Sequence, residues 1–294
     1  MILKALKSDG DWLAGVSFGL TIYLNAAPTA DEVKRMLAAY RSVCPPERIR
    51  YLRTSGMVAW RPLKPGVMPH DLDAHLVELD ERRDQGFAVW DGVGGDCWSF
   101  LAQGVVLRDV PTAASFIQVY FPDDTAPDLM LSLARRLADS IVFLSGHAGH
   151  VAMFRTRLKT AAFNRIYAWA KRYEGVEVED LNKTVPYVLD AVKGASWLTL
   201  LGSKFTSRLE HGDYHANLAS SVDVTRHAHG WVIRAGERPS IGDRNRQDFP
   251  LLYAQVESFL RPFKLRAHGE FAGRFRIEEA TMDWLHRLSE PSRW

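Results

Sequence analysis

WLTLLGSKFTSRL, residues 197–209, passes from one local pattern to another within thirteen residues. Its first half is an apolar run of strand length that stops at Gly202, and SKFTSRL (203–209) then has the spacing of a short helix. Two strand-like runs follow, ASSVDVTRH (219–227) and WVIRAG (231–236), and DFPLLYAQVESFLRPF (248–263) reads as a second helix. The order β-α-β-β-α is compatible with a split βαβ, ferredoxin-like arrangement. The expected fold class is therefore α+β, with antiparallel sheets covered by helices and ferredoxin-like β-α-β-β-α units in the C-terminal half.

The segments before it fit the same class. WSFLAQGVVL (98–107) and ASFIQVYF (114–121), joined through Asp109, Pro111 and Thr112, look like an antiparallel pair. PDLMLSLARRLADSIVFL (127–144) follows as a helix with Pro127 in the early position that suits its missing donor. That is again strand, strand, helix, but no repeat is visible in the residues themselves. VSFGLTIYL (16–24) reads as a strand, and TADEVKRMLAAYRSV (29–43) as a helix capped by Thr29. RYLRTSGMVAWRPL (50–63) has strand composition around a glycine turn, and HDLDAHLVELDERRDQG (70–86) and FNRIYAWAKRYEG (163–175) are helical by periodicity. VEVEDLN (176–182) is more loop-like. No low-complexity linker divides the chain, so residues 1–294 are expected to form one body.

Composition narrows the class further. At 47% hydrophobic and 24% charged the chain can bury a sizeable core, which excludes dominant disorder. Thirty-seven Lys and Arg against 35 Asp and Glu leave +2, too balanced to announce a nucleic-acid or membrane partner by bulk charge. Cys44 and Cys97 stand far apart and suggest neither a disulfide framework nor a thiolate metal site. Lys4 and Lys7 before WLAGVSFGLTIYL (12–24) superficially resemble a signal peptide, but Asp9 and Asp11 interrupt the entry and no cleavage pattern follows. With no apolar run of membrane-spanning length, a soluble, cytoplasmic protein is expected.

No stretch assembles a coherent catalytic set. GVSFG (15–19) matches a nucleophile elbow, yet LTIYL after it continues a strand where the elbow needs a helix, so Ser17 reads as a strand residue. His227 and His229 would share a strand face and offer two ligands to zinc in a metal-dependent hydrolase, with His211 and His215 nearby in HGDYH. No further ligand is evident, and hairpin-end histidines are the plainer reading. The histidines of SGHAGH (145–150) and the glycines of DGVGGD (91–96) likewise lack the context of a site. RPFKLRAHGEFAGRFR (261–276) interleaves arginines with aromatics, as a nucleic-acid surface would. Acidic clusters occur at 71–81, which includes Asp73 and Asp80, at 123–128 and at 174–180. Neither a cofactor nor a metal is expected, and the blandness favours a binding protein over an enzyme.

Two segments of the last third change this picture. Trp197, Leu198, Thr199, Leu201 and Gly202 are followed some thirty residues later by Ala235, Gly236, Pro239, Gly242, Asp243 and Asn245, in AGERPSIGDRN (235–245). In this order and spacing they resemble the type VI secretion immunity family. The match is firm over residues 190–265. Glu210-His211-Gly212 stands where a Gly-Gly pair is expected, and the hairpin glycines are reduced to Gly230.

The resemblance implies a non-catalytic protein that binds and neutralises a cognate type VI effector toxin. That toxin is expected to be a nuclease of the PD-(D/E)xK or virus-type replication-repair class, with no direct contact to nucleic acid or membrane. An inhibitor of a basic, DNA-holding cleft is expected to offer carboxylates in place of phosphates. Glu174, Glu177, Glu179 and Asp180 form the first such candidate patch, and Asp123, Asp124 and Asp128 the second. Gly236 and Gly242 would supply turn conformations, Pro239 one fixed φ, and Asp243 or Asn245 a cap or Asx turn.

Overall fold

In the computed structural model the described residues are 3–6, 10–64, 72–76, 86–95, 97–105, 113–209, 218–277 and 279–294. The chain enters through β1 (Lys4–Leu6) and β2 (Trp12–Leu24), then α1 (Ala30–Arg41), β3 (Tyr51–Thr54) and β4 (Arg61–Pro62). It continues with β5 (Gly86–Trp90), β6 (Ser99–Gln103), β7 (Ser115–Phe121), α2 (Pro127–Ser140) and β8 (Ser145–Phe154). The remainder is α3 (Lys159–Ala170), β9 (Glu177–Val178), α4 (Leu181–Thr184), β10 (Leu198–Gly202), α5 (Ser203–Leu209), β11 (Val222–His227), β12 (Gly230–Ala235), α6 (Leu251–Leu260) and α7 (Ala280–Leu285).

The strands make one open sheet in the order β11-β12-β10-β8-β2-β7-β6-β5-β3-β4, with β1 added to β2 and β9 to β8. All pairs are antiparallel except β8 with β9. The split βαβ expected in the C-terminal half is present: β12 lies between β10 and β11, which therefore run parallel. What completes it is β8, from earlier in the chain, on the free side of β10. The first half carries the same strand-helix-hairpin-helix order. There β2, α1, β6, β7 and α2 are followed by β8, in spatial order β8-β2-β7-β6. One strand thus serves both units.

Local chemistry explains the boundaries. Thr29 and Glu32 form a reciprocal capping box at α1, with Val33, Met36, Leu37 and Tyr40 buried along one face. Pro127 opens α2, which ends at Ser140, short of the expected 144, before the chain turns into β8. Phe18, Leu20 and Ile22 of β2 alternate into the larger apolar core, to which α1, α2 and α6 also contribute. A second core gathers α3, Phe271, Phe275 and Trp284. The segment 176–182, expected as more loop-like, contains β9, and its residues 176–180 are buried because their carboxylates find partners inside. The helix expected over 70–86 falls mostly outside the described residues, as do Asp80, Asp109, Pro111, Thr112 and Glu210.

Candidate functional site

Directly opposed residues of neighbouring strands project to the same side of a sheet. One such row runs Arg53, Ala88, Leu101, Gln118, Thr21, His147, Thr199 across β3, β5, β6, β7, β2, β8 and β10. Its right-hand part is sealed. Glu179 lies over it, taking hydrogen bonds at Oε2 from the Thr21 hydroxyl (2.9 Å) and the Gln118 amide (2.8 Å). Its Oε1 is 3.1 Å from His147 Nε2 and 3.5 Å from the Tyr23 hydroxyl. Glu177 pairs with Lys193 (2.6 Å) and Arg287 (3.2 Å), while Lys193 also donates to the Val178 carbonyl and Arg287 to the Glu174 carbonyl. Glu257 and Lys264 make a further buried pair.

These contacts set the charge states. Burial alone would raise the Glu177 carboxyl, but Lys193 and Arg287 overcome it and hold the group at about 2. Burial is likewise outweighed at Glu179, chiefly by His147, so its carboxyl is lowered. At Glu174 desolvation wins over Arg244 and Arg287, and the carboxyl is raised.

The first acidic patch is accordingly corrected. Glu174, Glu177, Glu179 and Asp180 are 4%, 5%, 3% and 4% exposed, so they present no acidic surface; they pair instead with the buried Lys193, Arg287 and His147 and the half-buried Arg244 and Lys159. In sequence the run looked solvated because nothing local reveals that Lys193, Arg244 and Arg287 return to it. The second patch lies at the surface, at the turn between β7 and α2, with Asp124 and Asp128 exposed and Asp123 half-buried beside His150. His227 is bound to Asp139 (3.0 Å) at the β11–β12 hairpin, His229 sits in that turn, and His211 and His215 lie outside the described residues. Among the described residues no three His, Cys, Asp or Glu side chains converge as metal ligands. Phe263, Phe271 and Phe275 of the basic-aromatic run are in the cores, unavailable for stacking on bases. Ser17 donates to the Phe121 carbonyl within the sheet.

The left-hand part of the row is open. Here β3, β5, β6 and β7 form the floor of a cleft of about 930 Å³, reaching from Trp12 and Phe154 on one wall to Arg53 and Trp60 on the other. Trp90, Ser99 and Tyr120, an adjoining row, line it as well. The Trp90 ring contacts those of Tyr51 and Trp60, and its indole NH is tied to the Val93 carbonyl. Residues of DGVGGD supply the rim: Val93, Gly94 and Gly95. Sequence reasoning did not find this cleft. The one available signal was the alternation in SFLAQ, where Phe100 and Ala102 are buried while Ser99, Leu101 and Gln103 are half-covered, the pattern of a strand with only one packed face.

The two signature segments hold the sealed side together. Trp197 is fully buried and donates its indole NH to the Gly236 carbonyl, Leu198 is core, and Thr199 extends the row beyond His147. A methyl group on Gly202 would lie 1.8 Å from the Phe143 carbonyl oxygen, so only glycine fits. Gly236 and Gly242 have φ of 87° and 63°. Asp243 takes the Asn245 amide in an Asx turn and a two-pronged pair from Arg172 (2.9 and 2.7 Å), whereas α6 begins at Pro250 without a side-chain cap. Pro239 lies in the same connection.

By architecture this is an α+β protein with one large open antiparallel sheet, sealed on part of one face and concave on the rest. The chain belongs to the TsiV family, type VI immunity for VRR-NUC, whose sequence pattern matches residues 108–288, well over half its length. It is similar in fold to the Pseudomonas aeruginosa T6SS protein PA0821, at 21% identity and a TM-score of 0.76, over 100% of this chain and 90% of that one. No curated protein sequence matches it. Among the described residues no helix is long and apolar enough to cross a membrane.

Proposed function

We propose that this chain neutralises a VRR-NUC nuclease toxin of a type VI system by binding it stoichiometrically and covering its active or DNA-binding site, without catalysis of its own. Family membership over residues 108–288 carries the reading. A lethal nuclease must be left with almost no free fraction, which calls for a Kd of about 1 nM or lower over an interface of about 1,600 Å². A surface that holds DNA is basic, so the exposed carboxylates of Asp124 and Asp128, with Asp123 beside them, are the groups that would meet it. Action in the cytoplasm follows from the reading, since that is where such a toxin reaches the producer's nucleic acid.

The test has two parts. Co-expression with the toxin restores growth, and calorimetry gives a one-to-one complex in the nanomolar range. Replacing both exposed carboxylates, Asp124→Lys with Asp128→Lys, slows association about tenfold at low salt. An unchanged on-rate removes that turn from the interface, and failure of the unaltered chain to bind ends the reading.

A further inference from the structure

We infer that the open cleft on the β3-β5-β6-β7 face is the surface that selects the cognate toxin, and that its occupant is an extended, carboxylate-bearing segment of the nuclease. The inference rests on the immunity reading and adds to it the place and chemistry of recognition.

The first ground is position. The family pattern begins at residue 108, whereas most of the cleft is built by residues 11–12 and 53–103, ahead of the matched segment. The matched segment contributes the sealed side: the Glu177 and Glu179 network, the Trp197 segment and the Asp243 turn. What a family shares serves what all its members need, which is folding and the binding common to them all. Discrimination between one toxin and another must reside in what differs between members.

The second ground is shape and chemistry. A concave volume of about 930 Å³ is at the upper end of the range of about 300–1,000 Å³ typical of binding sites. Trp60 and Trp90 contact each other at one wall, and such rigid amphipathic rings dominate protein recognition energetics. The remaining face of this sheet region packs into the main core through Leu52, Phe87, Val89 and Phe100, so the cleft is the side left for a partner.

Charge decides the occupant. Arg53 is exposed in the cleft, and among the described residues no carboxylate pairs with it. Residues 46–64 hold five basic side chains and a single acid, Glu47, in a chain whose net charge is only +2. On the opposite wall Arg155 is already paired with Asp11 at 2.5 Å. A nucleic-acid strand needs a track of several cations along its phosphates, and among the described residues the cleft offers one arginine without a carboxylate partner, which does not make one. A protein segment with one or two carboxylates among apolar residues matches one guanidinium flanked by indoles.

The probe is a catalytically inactivated VRR-NUC domain, that of the cognate toxin, titrated by calorimetry and by the fluorescence of the cleft tryptophans. Arg53→Glu is expected to weaken binding about 100-fold and Trp60→Ala about tenfold, with unchanged thermal midpoints. Arg53→Ala serves as the milder variant should the glutamate perturb the edge. Arg226→Glu, on β11 at the far edge of the sheet, is expected to stay within about threefold of the unaltered chain. Affinities within about threefold for all the cleft variants would overturn the proposal while leaving the immunity reading intact. No binding by the unaltered chain would overturn both. Loss of single-stranded oligonucleotide binding in Arg53→Glu, with toxin binding retained, would overturn it in favour of a nucleic-acid surface.

Discussion

Arg53 and His147 stand in the same row on the same face of one sheet, and their surroundings differ completely. His147 is buried against Glu179 under a lid of charged residues, each met by a partner, while Arg53 faces solvent across a cleft. Gln118 marks the border, since it lines the cleft and also donates to Glu179. The sheet is continuous across this border; what changes is the segment 174–196, which covers one part and stops. A single scaffold thereby keeps a buried, ion-paired interior beside an open cleft. Buried networks of this kind contribute little net stability when complete and cost heavily when broken.

That contrast can be broken most severely at Glu177. Glu177→Ala leaves Lys193 and Arg287 buried without their counter-charge, and is expected to lower the unfolding free energy by about 3–5 kcal/mol in a denaturant titration. A loss under about 1 kcal/mol would mean that water reaches the site and the lid is not sealed. Next comes acid. His150 and His268 are kept neutral by burial, each pushed down to about 4, so the unfolded chain gains protons below its ordinary imidazole range before the folded chain does.

Stability should therefore be flat from pH 6.5 up to the ordinary range of the Cys44 thiol, 9.0, and fall between 6.5 and about 4. Glu177, held at about 2 against an ordinary 4.5, adds a further loss of about 3 kcal/mol between those values. Melting curves across pH would check this, and His150→Asn should flatten the upper limb. The smallest effect belongs to the open side. Arg53→Ala should change stability by less than about 0.5 kcal/mol, and a larger loss would show Arg53 to be part of the fold's own packing.

Element order was legible wherever periodicity was strong: β2, α1, the β6–β7 pair, α2, and the β-α-β-β-α run that begins at Leu198. Residues 197–202 also carried the family. The acidic run 174–180 was misread because burial of a carboxylate is decided by cations more than ten residues away in sequence, none of which leaves a local trace. The cleft was hidden for a related reason. Its walls, Trp12, Trp60, Val93 and Phe154, come together only after β2 is placed between β7 and β8. The aromatics of 261–276 offered a false surface, since spacing alone does not say whether a ring faces water or core.

The central position of β2 has an evolutionary consequence. The family-matched segment begins after β6, yet its strands β7 and β8 do not touch; β2, from the chain's first two dozen residues, is wedged between them. A gene exchange that joined a foreign N-terminus at residue 108 would replace this central strand and every contact it makes. Crossovers flanking residues 51–105 would instead carry β3 to β6 across as a cassette at the sheet's edge, with β2 and α1 inherited unchanged. Such an exchange also replaces Leu52, Phe87, Val89 and Phe100 of the main core, so an incoming cassette must fit that core as well as bring a new cleft floor.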